Sequence, residues 1–125
     1  MKIIETTNAP AAIGPYAQAV EVGNTLYISG QIPFEPTTME LISEDIKEQT
    51  DQCLKNIKAI LAEAGYSIEN IVKCMIFLAD MDDFTAVNEI YSKHFNDHKA
   101  ARACVEVARL PRDVKIEIDA TAVKL

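Results

Sequence analysis

The chain has 125 residues, a length typical of one domain, and 49% of them are apolar, which is enough to build a hydrophobic core. Its 12 basic and 19 acidic residues give a formal charge of −7, and no cluster of lysine or arginine is present, so a nucleic-acid-binding surface is not expected. The three cysteines are widely spaced and form no CxxC pair, which argues against a disulfide framework and against a zinc site.

The N-terminus and the hydropathy pattern bear on the cellular compartment. The first ten residues contain no apolar signal segment, and no apolar run reaches the length of a membrane span. An odd number of widely spaced cysteines fits a reducing environment. We therefore expect a cytoplasmic protein that has no contact with membranes.

The first third of the chain predicts a short strand, a loop and a hairpin. Residues 2–5 are a strand candidate. Residues 16–22 alternate in polarity, the Gly-Asn pair at 23–24 signals a turn, and residues 25–29 form the returning strand. Gly30 is expected to end that strand.

Two helices are predicted from apolar residues that recur at intervals of three and four. The first has Ser43 as its N-cap, Glu44 and Asp45 in its first turn, an apolar stripe from residue 46 to residue 64, and Gly65 just past its C-terminal end. The second begins at an acidic cluster, residues 80–83, which we interpret as helix capping rather than as a metal site. Its apolar stripe also contains Asn88, a polar residue whose amide needs a hydrogen-bond partner.

The remaining segments predict strands in two different environments. Residues 70–78 are apolar at nearly every position, a pattern typical of a strand that is buried on both faces. The segments on either side of a loop at 109–113 alternate in polarity, so that Arg102 and Cys104 share one face of the first, and Glu117 lies on the polar face of the second. An arginine, a thiol and a carboxylate on stiff strands are the groups needed to hold a small anion and activate a water molecule.

The balance of helices and strands predicts self-association. Two amphipathic helices can cover only one face of a sheet, yet the strand at 70–78 is apolar on both faces. The uncovered face must meet another surface, and a second copy of the chain is the simplest candidate. The pattern therefore predicts a homo-oligomer.

Short motifs recur along the whole chain in a specific order and spacing. They are Gly14-Pro15-Tyr16 with Gln18, Ser29-Gly30-Gln31-Ile32-Pro33, Gln49 with Asn56, Phe84 with Val87, Asn88 and Tyr91, Arg102-Ala103-Cys104-Val105 with Leu110-Pro111, and Glu117. In this combination the chain resembles the RidA family, also called the YjgF family.

The resemblance implies a single RidA-like domain over residues 1–125 and an α+β fold similar to chorismate mutase of the trimeric type. That fold is a mixed sheet with two helices on one face, and three such sheets pack around a central barrel in a homotrimer. The resemblance also implies that the last strand is not the hairpin partner of the strand before it. The family's sites lie in clefts between subunits.

The activity implied by the resemblance is hydrolysis of reactive enamines and imines, such as 2-aminoacrylate, 2-iminopropanoate and 2-iminobutanoate, to 2-keto acids and ammonia, without a cofactor. Arg102 would bind the substrate carboxylate, since a guanidinium offers two parallel donors and stays charged. Glu117 would hold and polarise the attacking water. The other expected substrate contacts are Cys104, Tyr16, Ser29, Gly30 and Asn88.

Structural roles compete with some of these assignments. Tyr16 and Asn88 also fit a structural role as ordinary core residues with a satisfied polar group. Cys104 is not expected to be a nucleophile because no partner base lies near it in the sequence. His94 and His98 have a helical spacing that can bind metal, but we interpret them as surface residues at a helix end.

Two other functions remain open at this stage. The same arginine cleft would suit a regulatory trimer that binds 2-keto acids without turnover, although binding a carboxylate does not require a second acid such as Glu117. RNA cleavage or inhibition of translation is the other alternative. The acidic charge and the missing basic stripe argue against it.

Overall fold

The computed structural model describes all residues, 1–125, as one six-stranded sheet and two α-helices. The elements are β1 (Lys2–Ile4), β2 (Ala19–Val22), β3 (Thr25–Gln31), α1 (Ile46–Ala64), β4 (Ile71–Leu78), α2 (Phe84–Phe95), β5 (Ala101–Glu106) and β6 (Ile116–Val123). Neither helix has the length and apolar character needed to cross a membrane. The expected α+β fold is confirmed.

The strand order in the sheet is β1-β2-β3-β6-β4-β5. Strand β4 therefore lies between β5 and β6, parallel to β5 and antiparallel to β6. Met75 at the centre of β4 is opposite Ala103 on one side and Asp119 on the other. The last two strands do not pair with each other as a hairpin, which agrees with what the resemblance implied.

The predicted hairpin is formed by β2 and β3 around Gly23, whose φ of +60° suits a residue without a side chain. Two of its boundaries were wrong. Strand β2 begins at Ala19 rather than at residue 16. Gly30 lies inside β3 rather than at its end, because a register shift after Ile28 lets the strand continue to Gln31, which is opposite Ile118.

The helices cover one face of the sheet and leave the other open. The covered face is made of fully buried side chains such as Leu26, Ile76 and Ile118, and α1 packs on it with Leu54 and Ile57. On the open face, Met75 and Phe77 are only partly buried within one chain. Within one chain, strand β4 is therefore buried on one face only, and burial of its other face stays a prediction that depends on a second copy of the chain.

Simple alternation along residues 70–78 predicts Val72 on the face of Cys74 and Ile71 on the opposite face, and the structure reverses these two residues. Ile71 is buried on the helix side, whereas Val72 is 47% exposed. The cause is a shift in the pairing with β6 between Ile71 and Lys73, which moves the start of the strand out of simple alternation.

The helix ends are defined by capping residues. The N-cap of α1 is Asp45, not Ser43, because the Asp45 carboxylate accepts the backbone N–H of Glu48 at 2.9 Å. Gly65 ends the helix in the left-handed conformation, as predicted. Asp80 accepts the N–H of Asp82 at 2.9 Å and caps the 3₁₀ turn that precedes α2, whereas Asp83, the N-cap residue of α2, makes no side-chain cap hydrogen bond, so the capping predicted for this cluster is found at Asp80 only.

His94 is not a surface residue, contrary to expectation. Its side chain is 11% exposed, and its Nε2 lies 2.7 Å from Asp51 Oδ1 on α1. His98 is partly buried and bonds through Nε2 to the backbone oxygen of Ile71 at 2.7 Å. Both histidines hold α2 and the segment after it against the rest of the domain.

Buried amides on α1 anchor the chain that connects β3 to the helix. Asn56 is fully buried and donates to the backbone oxygens of Ile32 at 3.2 Å and Phe34 at 3.1 Å. Gln49 donates to the oxygen of Ser43 and accepts the N–H of Lys115, each at 2.9 Å. These bonds give buried loop carbonyls the partners that water cannot supply.

Replacing Asn56 tests this anchoring. Asn56→Ala leaves the Phe34 and Ile32 carbonyls without their side-chain donors. We expect the free energy of unfolding to fall by about 2–4 kcal/mol, the cost of unsatisfied buried polar groups. Chemical denaturation measures it, with Lys58→Ala on the exposed side of α1 as a matched control. A loss under about 0.5 kcal/mol, typical of a surface substitution, would contradict the anchoring role.

Candidate functional site

Arg102 lies on β5, at the edge of the sheet, on the face that carries the helices. It is in register with the buried Cys74 and shares a groove between α2 and β5 with Asn88. Its guanidinium forms no salt bridge and no hydrogen bond within the chain. The guanidinium carbon lies 4.8 Å from the centre of the Tyr91 ring and 5.6 Å from that of Phe84. Its N–H donors are therefore free to bind an anion.

Cys104 follows Arg102 on the same face of β5 and packs against the edge of the hydrophobic core. Burial raises the pKa of its thiol, while the charge of Arg102 lowers it by less. A thiol with a raised pKa stays protonated at neutral pH. This agrees with the expectation that Cys104 is not a nucleophile.

Asn88 lies one turn before Ser92 on α2 and is partly exposed. The buried position of the helix stripe is taken by its neighbour Val87. The Asn88 amide makes no hydrogen bond within the chain, and Asn88 lines the groove that contains Arg102. The partner that the sequence required for this amide is thus not supplied by the fold of one chain.

Glu117 lies on the opposite, open face, near the start of β6, where it is paired with Phe77. The carboxylate is half-buried and has no cationic partner. Burial raises the pKa of the Glu117 carboxyl, and the negative charge of Asp119 raises it further. Asp119 lies two residues along the strand on the same face, and burial raises its pKa as well.

Gly30 allows Glu117 to occupy its position. A Cβ atom built on Gly30 would lie 2.5 Å from Glu117 Oε2 and 2.8 Å from its carboxyl carbon. These distances are shorter than van der Waals contact, so any side chain at position 30 displaces the carboxylate. The absence of a side chain also leaves the backbone beside the carboxylate open to a ligand.

Tyr16 and Ser29 lie near Gly30 at the same end of the sheet. Tyr16 is half-exposed and borders a small cavity together with Gly30. The Ser29 hydroxyl donates to the backbone oxygen of Ala17 at 2.6 Å, which leaves its oxygen able to accept a hydrogen bond. The segment before β2 is held by Gln18, whose side-chain amide donates to the oxygen of Pro10 at 2.8 Å.

The predicted site residues thus form two groups on opposite faces of the sheet. Arg102, Cys104 and Asn88 line the helix side of its β5 edge. Glu117 and Gly30, with Tyr16 and Ser29 nearby, lie at the open face. Because side chains alternate along each strand, no rotation of one side chain brings the guanidinium and the Glu117 carboxylate together in a single chain. No group of three or more His, Cys, Asp or Glu side chains is arranged to hold a metal ion.

Three neighbours of the site were not identified as functional candidates from the sequence. Asp119 follows Glu117 at the spacing of two that places side chains on the same face of a strand, so alternation alone could have identified it. Phe84 and Tyr91 lie seven residues apart on one face of α2. Their contact with Arg102 depends on how α2 crosses β5, for which the sequence has no direct signal.

Comparison with known proteins places the chain among relatives of its own length. The sequence model described as Endoribonuclease L-PSP matches residues 6–124. The 2-iminobutanoate/2-iminopropanoate deaminase of Salmonella typhimurium is 52% identical over 98% of both chains. The structure of Escherichia coli TdcF with bound serine aligns with a TM-score of 0.96 and 47% identity over all of both chains. The Escherichia coli YjgF gene product aligns with a TM-score of 0.96 and 50% identity, also over all of both chains. The chain therefore belongs to the RidA (YjgF) family of Endoribonuclease L-PSP proteins.

Proposed function

We propose that the protein hydrolyses reactive 2-imino acids and their enamine tautomers to 2-keto acids and ammonia. The observation that carries the proposal is a pair of functional groups without partners. The Arg102 guanidinium has free donors in a groove, and the Glu117 carboxylate is half-buried without a cation. Hydrolysis of a 2-imino acid requires a cationic group that binds the substrate carboxylate, here called the carboxylate clamp, and a second acidic group that activates the attacking water. The 52% identity to a 2-iminobutanoate/2-iminopropanoate deaminase supports the same reaction.

The proposed reaction adds water across the C=N bond. Arg102 binds the substrate carboxylate with two parallel N–H donors. Glu117 takes a proton from the attacking water as the water oxygen bonds to the carbon of the iminium, and it returns this proton to the nitrogen of the resulting carbinolamine. The C–N bond then breaks, ammonia leaves with the bonding electron pair, and the hydroxyl proton passes to solvent to give the 2-keto acid. An iminium carbon is already electrophilic, so the step needs no cofactor.

The remaining residues complete the proposed cleft. The Asn88 amide faces the groove of Arg102 and is free to bond the substrate or its carboxylate. Cys104 contacts the substrate beside Arg102 as a neutral thiol or through its backbone. Tyr16 closes the cleft over the substrate, and Ser29 and Gly30 offer a hydroxyl oxygen and an open backbone beside Glu117.

We further propose that each site is shared between two chains of a homotrimer. Arg102 and Glu117 lie on opposite faces of one sheet, so a neighbouring chain has to supply one of the two groups. The open face carries partly exposed apolar side chains, which is typical of an interface between copies. They are Tyr27, Met75, Phe77, Ala103 and Val105.

The three cysteines are free thiols, which fits function in the cytoplasm.

RNA cleavage is the second candidate, because the matching sequence model is described as an endoribonuclease. The formal charge of −7 disfavours it, since a nucleic-acid surface needs concentrated positive charge. A regulatory trimer that binds 2-keto acids without turnover would use the same Arg102 groove. It would leave the half-buried Glu117 without a chemical role.

The decisive assay generates 2-iminobutanoate from threonine with a dehydratase and traps it with semicarbazide. We expect the protein to divert the imine to 2-ketobutanoate. Arg102→Ala should lower kcat/KM at least about 100-fold, because two charge-assisted hydrogen bonds to a carboxylate contribute about 3 kcal/mol or more. Arg109→Ala, in an exposed loop ion pair, is the control and should retain activity. Keto-acid binding without any diversion would instead favour the regulatory trimer.

Shared sites predict complementation between two inactive variants. Arg102→Ala and Glu117→Ala homo-oligomers should each be inactive. When the two are co-expressed, mixed oligomers contain sites in which Arg102 comes from one chain and Glu117 from its neighbour. We expect such oligomers, purified with two different tags, to recover part of the wild-type activity. Mixed oligomers that stay inactive, or a monomeric mass by light scattering, would contradict the shared site.

The pH profile tests the role of Glu117 as a base. Asp119→Asn removes the negative charge that raises the pKa of Glu117, so the carboxylate form persists to lower pH. We expect the acidic limb of the kcat/KM profile to shift to lower pH relative to wild type. Asp97→Asn makes the same charge change at an exposed position and should leave the limb unchanged. An acidic limb that does not move in Asp119→Asn is evidence against proton abstraction by Glu117.

A further inference from the structure

Arg102 is held by two aromatic rings rather than by an acidic partner, and this inference rests on the proposed role of Arg102 in binding the substrate carboxylate. We propose that Phe84 and Tyr91, here called the aromatic shelf, are positioning residues that orient the Arg102 guanidinium for the carboxylate. They do so without using any of its N–H donors.

The geometry places both rings within cation–π range. The guanidinium carbon of Arg102 lies 4.8 Å from the centre of the Tyr91 ring and 5.6 Å from that of the Phe84 ring. Favourable cation–π pairs occur within about 6 Å. Phe84 and Tyr91 are seven residues apart on α2, which is two helical turns, or about 10 Å along the axis. The arginine side chain therefore lies between two rings on one face of the helix.

The usual way to fix an arginine would interfere with substrate binding. A carboxylate partner occupies the paired N–H donors that a substrate carboxylate needs. The nearest acid on the same face of β5 is Glu106, and its carboxylate accepts the backbone N–H of Met81 at 2.8 Å instead. An aromatic ring attracts the face of the guanidinium and leaves the N–H groups at its edge free.

The shelf is itself rigid on the side of Tyr91. The Tyr91 ring stacks on Phe95 with centroids 4.0 Å apart and planes 8° from parallel, and Phe95 is buried in the core. The Tyr91 hydroxyl is buried beside the Cys74 thiol, which is at most a weak hydrogen-bond partner. The ring, rather than the hydroxyl, is the part of Tyr91 that contacts Arg102.

The experiment compares substitutions that remove each ring with substitutions that keep it. Affinity for 2-ketobutanoate is measured by calorimetry in Phe84→Leu, Tyr91→Leu, Phe84→Tyr and Tyr91→Phe. Each leucine variant should weaken binding about two- to five-fold, the size expected for one cation–π pair. The ring-keeping variants should restore affinity to within two-fold of wild type. Ile90→Ala, on the part of α2 that faces α1, controls for general loosening of the helix.

A second measurement reports on Arg102 without any ligand. The Nε–Hε NMR signal of Arg102, assigned from its loss in Arg102→Ala, should be displaced by the ring currents of the shelf. It should move toward the position of an exposed arginine in the leucine variants but not in Ile90→Ala. This signal and the affinity are measured on the intact oligomer.

The outcomes separate the inference from the proposed function. Suppose that Arg102→Ala loses affinity while the leucine variants bind as tightly as the ring-keeping ones, or that the Arg102 NMR signal does not move in the leucine variants. Either result would reject the positioning role of the aromatic shelf and leave the carboxylate-binding role of Arg102 intact. If Arg102→Ala binds 2-ketobutanoate as tightly as wild type, the clamp itself fails, and the positioning role of the shelf fails with it. Equal losses in Ile90→Ala and the leucine variants would show a structural effect only.

Discussion

The position of β4 between β5 and β6 is the constraint on which the arrangement of the site depends. Parallel pairing with β5 and antiparallel pairing with β6 fix which side chains of the three strands share a face. Arg102 is directed to the helix side of the sheet, and Glu117 is directed to its open side. A shift of one residue in the β4–β6 register would move the Glu117 carboxylate to the face under α1, and such a shift in the β4–β5 register would move Arg102 to the open face. The separation of the two groups is therefore as strongly determined as the hydrophobic core.

Buried amides fix the connection between β3 and α1. This segment has one isolated strand-like bridge, between Phe34 and Leu41, and no further strand pairing. Asn56 and Gln49 on α1 supply the missing hydrogen bonds to this connection and to the segment before β6. Buried polar groups with all partners present specify one arrangement of the loop rather than many.

The electrostatic character of the two groups is complementary. The N–H donors of Arg102 stay free because the guanidinium lies against ring faces, while burial and the neighbouring Asp119 raise the pKa of Glu117. A cation with free donors is suited to bind the carboxylate of a 2-imino acid, and a carboxylate that readily accepts a proton is suited to activate water beside its C=N group. Division of these tasks between two faces makes self-association a condition for activity in the proposed mechanism. An isolated chain would hold only half of each site.

The sequence by itself determined the elements and the family. The hairpin at Gly23, both helices, the end of α1 at Gly65 and the two-faced strands follow from local periodicity and turn chemistry, which depend on neighbours along the chain. Local patterns did not predict the N-cap at Asp45, the continuation of β3 past Gly30 or the exchange of Ile71 and Val72 between faces. The observed caps and bulges differ from the predicted alternatives by only small local free energies. Only the tertiary structure decided that β4 separates the last two strands, that His94 is buried against Asp51, and that Phe84 and Tyr91 lie over Arg102. Those contacts join residues far apart in sequence, and the packing of whole elements selects them, which no local pattern encodes.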